Sequence, residues 1–409
     1  MEEIWYPDRK EVIIPFAFSP TLYILEVILN IFMSKYNWWN NLHAQNVVIV
    51  WGTGGVGSEL IRQIGSYDQP SNGHLHPTRI LWVTSSTHIL LASPGDFSWL
   101  QFSDFSQAKL REAINGWVET RGEYKELIHA IQSLGIPLSD IVVVDMTADK
   151  WEDNTEFHRQ IIASDGKIVT ANKNPISLSQ YTVFTELTSN RDQYAYSASV
   201  MAGWPAVREI QAAYDTRNTI KSIEWCFSGT LGYIASELEK WRSIGDIIKD
   251  AHTLRYTEPN PWDDLSGLDV ARKILILART AWYNLSMRDI TIEPFIPEDY
   301  SKYKWEEFFA KVHELDSIYR ERMTSLMNTG KTLRYVWALY TTHDSPRITV
   351  WLKEVDRSHA LGNLTGKDSK VILETRHFTT SYQRPWAGTD NTANSVRADI
   401  ASLLRWRRA

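Results

Sequence analysis

The chain has a single cysteine, Cys226, in 409 residues. That scarcity excludes an intramolecular disulfide and any thiolate metal cluster, and it fits a reducing cytoplasm. No block of basic residues is present either: 43 Lys and Arg are interspersed with 49 Asp and Glu, for a net charge of -6. The extended positive surface that nucleic acid or anionic lipid would need is therefore missing. A membrane span is also lacking. The apolar stretch "EVIIPFAFSPTLYILEVILNIFM" carries Glu26, Asn30 and two prolines, and the preceding "MEEIWYPDRK" has no purely basic start of the signal-peptide kind. Glu26 and Asn30 lie four apart, so from Thr21 the stretch reads as a helix with one narrow polar stripe, packed on the body or on a partner subunit. There is no internal repeat and no low-complexity linker.

With 43% hydrophobic and 22% charged residues, the chain can bury the cores of two or three domains. From Asn46, strand and helix patterns alternate: "NVVIVWGTGGVGSELIRQIGSY", then "TRILWVTSS", "DIVVVDMTAD" and "GKIVTANK". Strands separated by helices imply a parallel sheet with right-handed crossovers. Between about Tyr196 and Gly330 the pattern predicts long helices over Ser236 to Thr253, Ser266 to Tyr283 and Trp305 to Met327. "TLRYVWALYTTHDSPRITVWLKEV" then reads as a two-stranded hairpin around "THDSPR".

Gly52, Gly54 and Gly57 form G-x-G-x-x-G where the first strand ends and a helix begins. The first glycine permits a tight turn, the second lets backbone approach a pyrophosphate, and the third lets helix pack on strand. The α/β half is thus a Rossmann-type doubly wound sheet, with Gly52, Thr53, Gly54, Gly55, Val56 and Gly57 as cofactor-binding candidates. NAD binders usually end the second strand with an acid for the ribose hydroxyls, whereas "LWVTSSTH" offers hydroxyls, Ser85 among them, and His88. The missing carboxylate leans toward NADP, but histidine is a poorer phosphate partner than arginine, and NAD stays open.

The stretch "YTEPNPWDDLSGLDVARKILILART" concentrates charge beside an apolar run. Ser266, Asp269 and Lys273 are spaced to share one face of a helix that starts near Leu265. The residues around them, from Val270 to Ala278, leave that helix almost no solvated side, so the Asp269–Lys273 pair is expected to be desolvated. A solvated pair would contribute only a few tenths of a kcal/mol, whereas buried ions call for compensation or a task. Lys273 and Asp269 become candidates for substrate binding and proton transfer. Pro259 and Pro261 keep the preceding segment extended, which fans Glu258, Asp263 and Asp264 toward the helix start, an array suited to an ammonium group; a metal site is the rival reading. Lys173 in "VTANKNPIS" follows a strand of the dinucleotide sheet, at the crevice where cofactor and substrate meet.

These segments resemble homoserine dehydrogenases. "YTEPNPWDDLSGLDVARKILILAR" is similar to that family's signature, supported in order by "GTGGVG", "VDMTAD", "TANKNP", "ASVMAGWPAVREI", "FSGTLGYI" and "AGTDNTANSVRADI". The resemblance runs from about Asn46 to the C-terminus, leaves no room for the C-terminal regulatory domain of some members, and shows no aspartate kinase at the N-terminus. It implies reversible NAD(P)H-dependent interconversion of aspartate 4-semialdehyde and homoserine, a homodimer, and an α+β catalytic and dimerisation region. Residues 46–195 and 386–409 would form the dinucleotide domain, 196–206 and 331–385 the dimerisation region, 207–330 the substrate domain, and 1–45 a helical extension. By position, Lys273 and Lys173 are the substrate and proton-handling lysines, and Asp269 orients Lys273. Glu258 and Asp264 would hold the substrate ammonium; Gly229, Thr230 and Tyr256 would shape the pocket; Thr147 and Gly388 would lie near the nicotinamide and its ribose.

The sequence also departs from the family pattern. Members commonly have an acid where this chain has Ser197, beside backbone carbonyls that would here be those of Val200 and Ala202, around a monovalent cation; a neutral serine weakens that site. Arg255, Asn260 and Trp262 replace the usual Gly, Asp and Arg, and His88 stands where NADP-preferring members often have Arg. Trp204, Trp262 and Trp386 at motif positions suggest rebuilt pocket walls, hence a second reading of the same hydride chemistry on another small amino acid aldehyde or alcohol. A third reading, a non-catalytic dinucleotide-binding partner subunit, is opposed by the retention of both lysines.

Overall fold

The computed structural model describes residues 46–52, 54–68, 78–84, 88–91, 118–119, 137–147, 152–200, 202, 204–226, 229–254, 256–257, 262–341, 346–365, 368–385 and 388–404. The helix expected from Thr21 lies outside the described residues, as do Thr53, Ser85, Arg255, Glu258, Asn260 and Trp386. Among the described residues, no helix is long and apolar enough to cross a membrane.

Seven strands form the first sheet: β1 (Asn46–Trp51), β2 (Thr78–Thr84), β3 (His88–Leu91), β4 (Val118–Glu119), β5 (Ile141–Asp145), β6 (Lys167–Thr170) and β7 (Tyr194–Ala195). Their order is β4-β3-β2-β1-β5-β6-β7. The expected parallel pairing holds from β2 through β7, and β3 and β4 add an antiparallel edge that the sequence patterns did not reveal. Every residue of β5, "IVVVD", is buried, as a strand covered on both faces requires. Ile141 and Val143 pack with Phe157 and Ile161 of the Glu152–Ala163 helix. Val142 and Val144 face the opposite way, toward Leu60, Ile61 and Ile64 of the Gly55–Tyr67 helix and Val396 and Ile400 of the Thr389–Leu404 helix. This alternation makes the sheet doubly wound, and it brings the C-terminal helix back onto the phosphate-turn helix.

The second sheet runs β13-β12-β8-β10-β11-β9. Its strands are β8 (Ile220–Cys226), β9 (Ile290–Ile292), β10 (Lys331–Tyr340), β11 (Arg347–Asp356), β12 (Asp368–Thr375) and β13 (Thr379–Pro385). The expected hairpin is β10 and β11, paired antiparallel from Lys331↔Asp356 to Tyr340↔Arg347. β8 and β9 come from within the 207–330 segment, so this sheet crosses the boundary drawn at residue 330. Trp225 of β8 and Trp337 of β10 are fully buried with ring centroids 4.5 Å apart. Trp204 joins them at 6.3 Å from Trp225 and stacks edge-on to Tyr382. Trp204 is therefore a core residue and not, as its motif position suggested, part of a pocket wall.

Of the long helices expected between Ser236 and Met327, the first and third are interrupted, and the second is continuous but starts two residues late. The first is two helices, Gly229–Leu238 and Ile244–Thr253, separated at Trp241, whose φ is +63°, with the Ser243 side chain capping the second. The third is broken by a tighter turn at Val312–Leu315 between Trp305–Lys311 and Asp316–Asn328. The second matters most. A single turn, Trp262–Leu265, stops at Gly267, whose φ is +78°, and the bridging helix Leu268–Thr280 starts there. Ser266 consequently does not share the helix face of Asp269 and Lys273. Only glycine suits Gly267, because a Cβ there would meet the Tyr335 hydroxyl at 2.2 Å in a backbone region disfavoured for other residues.

Gly267→Ala should therefore lower folding stability by about 1–3 kcal/mol, seen as a lower urea midpoint at unchanged slope.

Candidate active site

At the end of β1 the chain turns through Gly52 at φ +114°, where a Cβ would come within 2.9 Å of the Met146 backbone. A Cβ on Gly57 would lie 1.9 Å from the Gly52 carbonyl oxygen, so helix and turn touch backbone to backbone. Gly54 caps the Gly55–Tyr67 helix without a side-chain hydrogen bond, and nothing lies within 4 Å of where its Cβ would be. A tight turn, an open approach and a helix N-terminus together fit a pyrophosphate. Val56 packs on the apolar cluster beneath, and a Cβ on Gly55 would touch Thr389 at 3.2 Å. The neighbouring Gly388 position is open, so the returning C-terminal segment borders the turn. His88 begins β3, the antiparallel neighbour of β2.

Beside the turn, at the carboxyl ends of β5 and β6, a polar network supports Thr147. Asp145 accepts hydrogen bonds from the Thr147 N–H at 2.9 Å and the Thr147 hydroxyl at 2.7 Å. Asn154 and Asn172 each donate to the Thr147 Oγ1 at 3.2 Å. His158 Nε2 lies 3.1 Å from Asp145 Oδ2, and its Nδ1 lies 2.9 Å from the Tyr194 hydroxyl. The carboxylate fixes Nε2 as donor and leaves Nδ1 to accept from tyrosine. Burial opposes ionisation of Asp145, yet the bonds from His158 and Thr147 hold its carboxyl below the usual range. Asn154, His158, Asn172 and Tyr194 were not found from the sequence, since single polar residues in helices and strands carry no spacing signal.

The two candidate lysines meet on one carboxylate. Lys273 Nζ is 2.6 Å from Asp269 Oδ2, across one turn of the bridging helix, and Lys173 Nζ is 3.3 Å from Asp269 Oδ1, reaching from the end of β6. The Asp269 side chain is 8% exposed, against 15% for Lys273 and 27% for Lys173. The expected pair is thus a trio around one buried carboxylate, which sits in the first turn of a helix where the dipole also favours an acid. Burial would raise the Asp269 pKa, but the Lys273 and Lys173 ammoniums outweigh it and hold the carboxyl well below its ordinary range.

The pocket-shaping candidates assemble in part. Gly229 and Thr230 begin the Gly229–Leu238 helix, both buried, and the Thr230 hydroxyl donates to the Tyr256 carbonyl at 2.6 Å. Tyr256 packs edge-on against Tyr233, with ring centroids 5.2 Å apart. Asp264 is buried in the single turn that precedes Gly267. Trp262 packs on Phe308 and, with Leu268, Ile292 and Ile296, lines a cleft of about 400 Å³.

The cation-site positions offer a neutral side chain. Ser197 opens the short Ser197–Val200 helix, and its N–H donates at 2.9 Å to Asp399, whose other oxygen is 3.6 Å from Arg208. Burial raises the Asp399 carboxyl to about 6. The carboxylate placed here is taken up by an N–H and a guanidinium, and Ser197 adds only a neutral side chain where Val200 and Ala202 would offer carbonyls. Among the described residues, no group of three or more His, Cys, Asp or Glu could hold a metal ion.

A doubly wound sheet with an open glycine turn at its carboxyl edge defines a dinucleotide-binding α/β protein. Residues 205–401 match the family model for homoserine dehydrogenase. The chain is 28% identical over 363 residues to the maize bifunctional aspartokinase/homoserine dehydrogenase 2, covering 87% of this chain but 38% of that protein. The chain thus spans well under half of that relative. It is 29% identical over 384 residues to fission yeast homoserine dehydrogenase, covering 89% of this chain and 96% of the yeast protein. A hyperthermophilic archaeal homoserine dehydrogenase solved with NADPH shares the fold, with a TM-score of 0.65 at 16% identity over 89% of this chain and 99% of that one.

Asp269→Asn removes the negative charge between two partly buried ammoniums and should cost about 3 kcal/mol at neutral pH. Because the native carboxyl is depressed, that contribution is fully present above the unfolded value of about 4 and is lost as pH falls below it toward the folded value. Urea unfolding from pH 7 to pH 3 should show the gap between native and variant narrowing only at the acid end.

Proposed function

We propose that this protein interconverts aspartate 4-semialdehyde and homoserine with a nicotinamide dinucleotide. The observation that carries the reading is the pair of lysines held on Asp269 at the carboxyl edge of the dinucleotide sheet, 2.6 and 3.3 Å from its oxygens. The bound dinucleotide supplies the hydride in reduction and accepts it in oxidation. The glycine turn and the Thr147 platform hold and orient it. Buried Asp264, with Glu258 by resemblance, binds the substrate ammonium, so that the far end of the substrate points toward the lysines.

When hydride reaches the aldehyde carbon, negative charge develops on its oxygen, and an ammonium at that oxygen stabilises it. We assign this role to Lys273, the more buried of the two, and proton exchange with solvent to Lys173, the more exposed. In the oxidative direction the hydroxyl proton passes to Lys173 in its neutral amine form, which releases it to solvent, while the Lys273 ammonium stays at the oxygen. Asp269 keeps both in place and offsets the cost of drying them. NADP is the favoured dinucleotide, since the segment that follows β2 offers hydroxyls and His88 and no acid. A homodimer joined through the second sheet and a cytoplasmic setting complete the reading. Trp262, in place of the family's usual Arg, favours one alternative, the same chemistry on another small amino acid aldehyde or alcohol.

Purified protein with homoserine and NADP should generate reduced nicotinamide, measured by absorbance. No turnover with either NADP or NAD overturns the assignment to homoserine, and a panel of amino alcohols then reads the alternative. Lys273→Ala should lower kcat by about 10²–10⁴-fold, the range of a lost proton-handling group.

A further inference from the structure

At the far end of the bridging helix from Asp269, Arg279 is 1% exposed. Among the described residues no carboxylate pairs with it; instead three carbonyls hold it. Nε donates to Leu285 O at 2.9 Å, Nη1 to Ile176 O at 2.8 Å and Nη2 to Ser179 O at 2.9 Å. The guanidinium also lies 5.9 Å from the centre of the Phe184 ring. A buried cation satisfied only by neutral dipoles is expensive, and burial pulls this guanidinium down to about 10.

The carbonyls it grips explain the investment. Ile176 and Ser179 belong to the segment that begins at Lys173, the cap of the Asn174–Ser177 helix. That short helix is closed on Lys173 itself, since the Ser177 N–H and hydroxyl donate to the Lys173 carbonyl at 2.9 and 2.7 Å. The bridging helix therefore meets the lysine segment at two points, Asp269 with Lys173 and Arg279 with Ile176 and Ser179. These points lie ten residues apart, about 15 Å along a helix. The core fixes the helix, and two contacts ten residues apart fix the rotation and the shift of the lysine segment along it.

We propose that Arg279 is a positioning residue that sets the register of Lys173 against Asp269 and Lys273 by clamping the segment that carries Lys173. Its importance for turnover rests on the dehydrogenase reading above. Lysine cannot replace it, because a single ammonium lacks the planar fork that reaches three diverging carbonyls.

The test compares native protein, Arg279→Lys and Tyr196→Phe. The last removes the Tyr196 hydroxyl bond to Thr280, at 3.0 Å, which crosses the same joint without touching residues 173–179. Competitive acylation by acetic anhydride reads how firmly each lysine is engaged. Lys173 acylation should rise in Arg279→Lys relative to Lys221, an exposed lysine paired with Glu374, and should stay native in Tyr196→Phe. In homoserine oxidation, Arg279→Lys should lower kcat about 10²-fold, the cost of a misplacement of about 1 Å, with the dinucleotide KM unchanged. In a Lys173→Ala background that loss should largely vanish. Native acylation of Lys173 in Arg279→Lys, an equal rise in Tyr196→Phe, or fully additive kinetic losses would each overturn the proposal. Native protein inactive on homoserine would contradict the proposed function instead, while the acylation comparison would still decide the role of Arg279.

Discussion

Everything in the candidate site depends on one carboxylate serving two ammoniums. Two unit charges about 4 Å apart at an effective dielectric of about 20 interact by about 4 kcal/mol, so lysines brought together without Asp269 would drive each other apart or lose a proton. With Asp269 between them, its negative charge offsets their repulsion in a partly dry crevice. The arrangement also joins two parts of the fold, because Lys173 comes from the end of β6 whereas Asp269 and Lys273 come from the bridging helix.

The remaining structure keeps that carboxylate dry and in place. Gly267 ends the preceding turn with a left-handed residue, so the helix starts where Asp269 falls in its first turn. Behind it, Ile274, Leu275, Ile276 and Leu277 are fully buried in the larger core, which leaves the helix no freedom to rotate its charged end toward solvent. On the cofactor side, the Asp145–His158–Tyr194 chain does for Thr147 what the helix does for Lys273: buried groups with satisfied hydrogen bonds hold one side chain at a strand end.

Much of this was legible in the sequence, for physical reasons that differ by element. The glycine turn was readable because close backbone contact admits only glycine at Gly52 and Gly57. The Asp269–Lys273 pair was readable because spacing of four on an apolar helix leaves no solvated alternative. Lys173 was placed at the right strand end, but its bond to Asp269 crosses 96 residues of sequence, beyond any periodicity. The helix boundaries were drawn too long because Trp241 and Gly267 break them through backbone conformation, and left-handed tryptophan has no sequence signature. Trp204 suggested a pocket wall, yet it packs against Trp225 and Tyr382. Bulk at a motif position says nothing of which way it points. The buried Arg279 lay inside the quoted signature, and only the three carbonyls around it distinguish it from a surface arginine.

The most direct measurement is a crystal structure of the protein with NADP and homoserine bound. The substrate hydroxyl is expected within about 3 Å of a lysine nitrogen and its carbon in near-attack contact with the nicotinamide ring, with Asp269 still bridging Lys173 and Lys273. A substrate bound away from both lysines, or Asp269 released from either one, would contradict this arrangement.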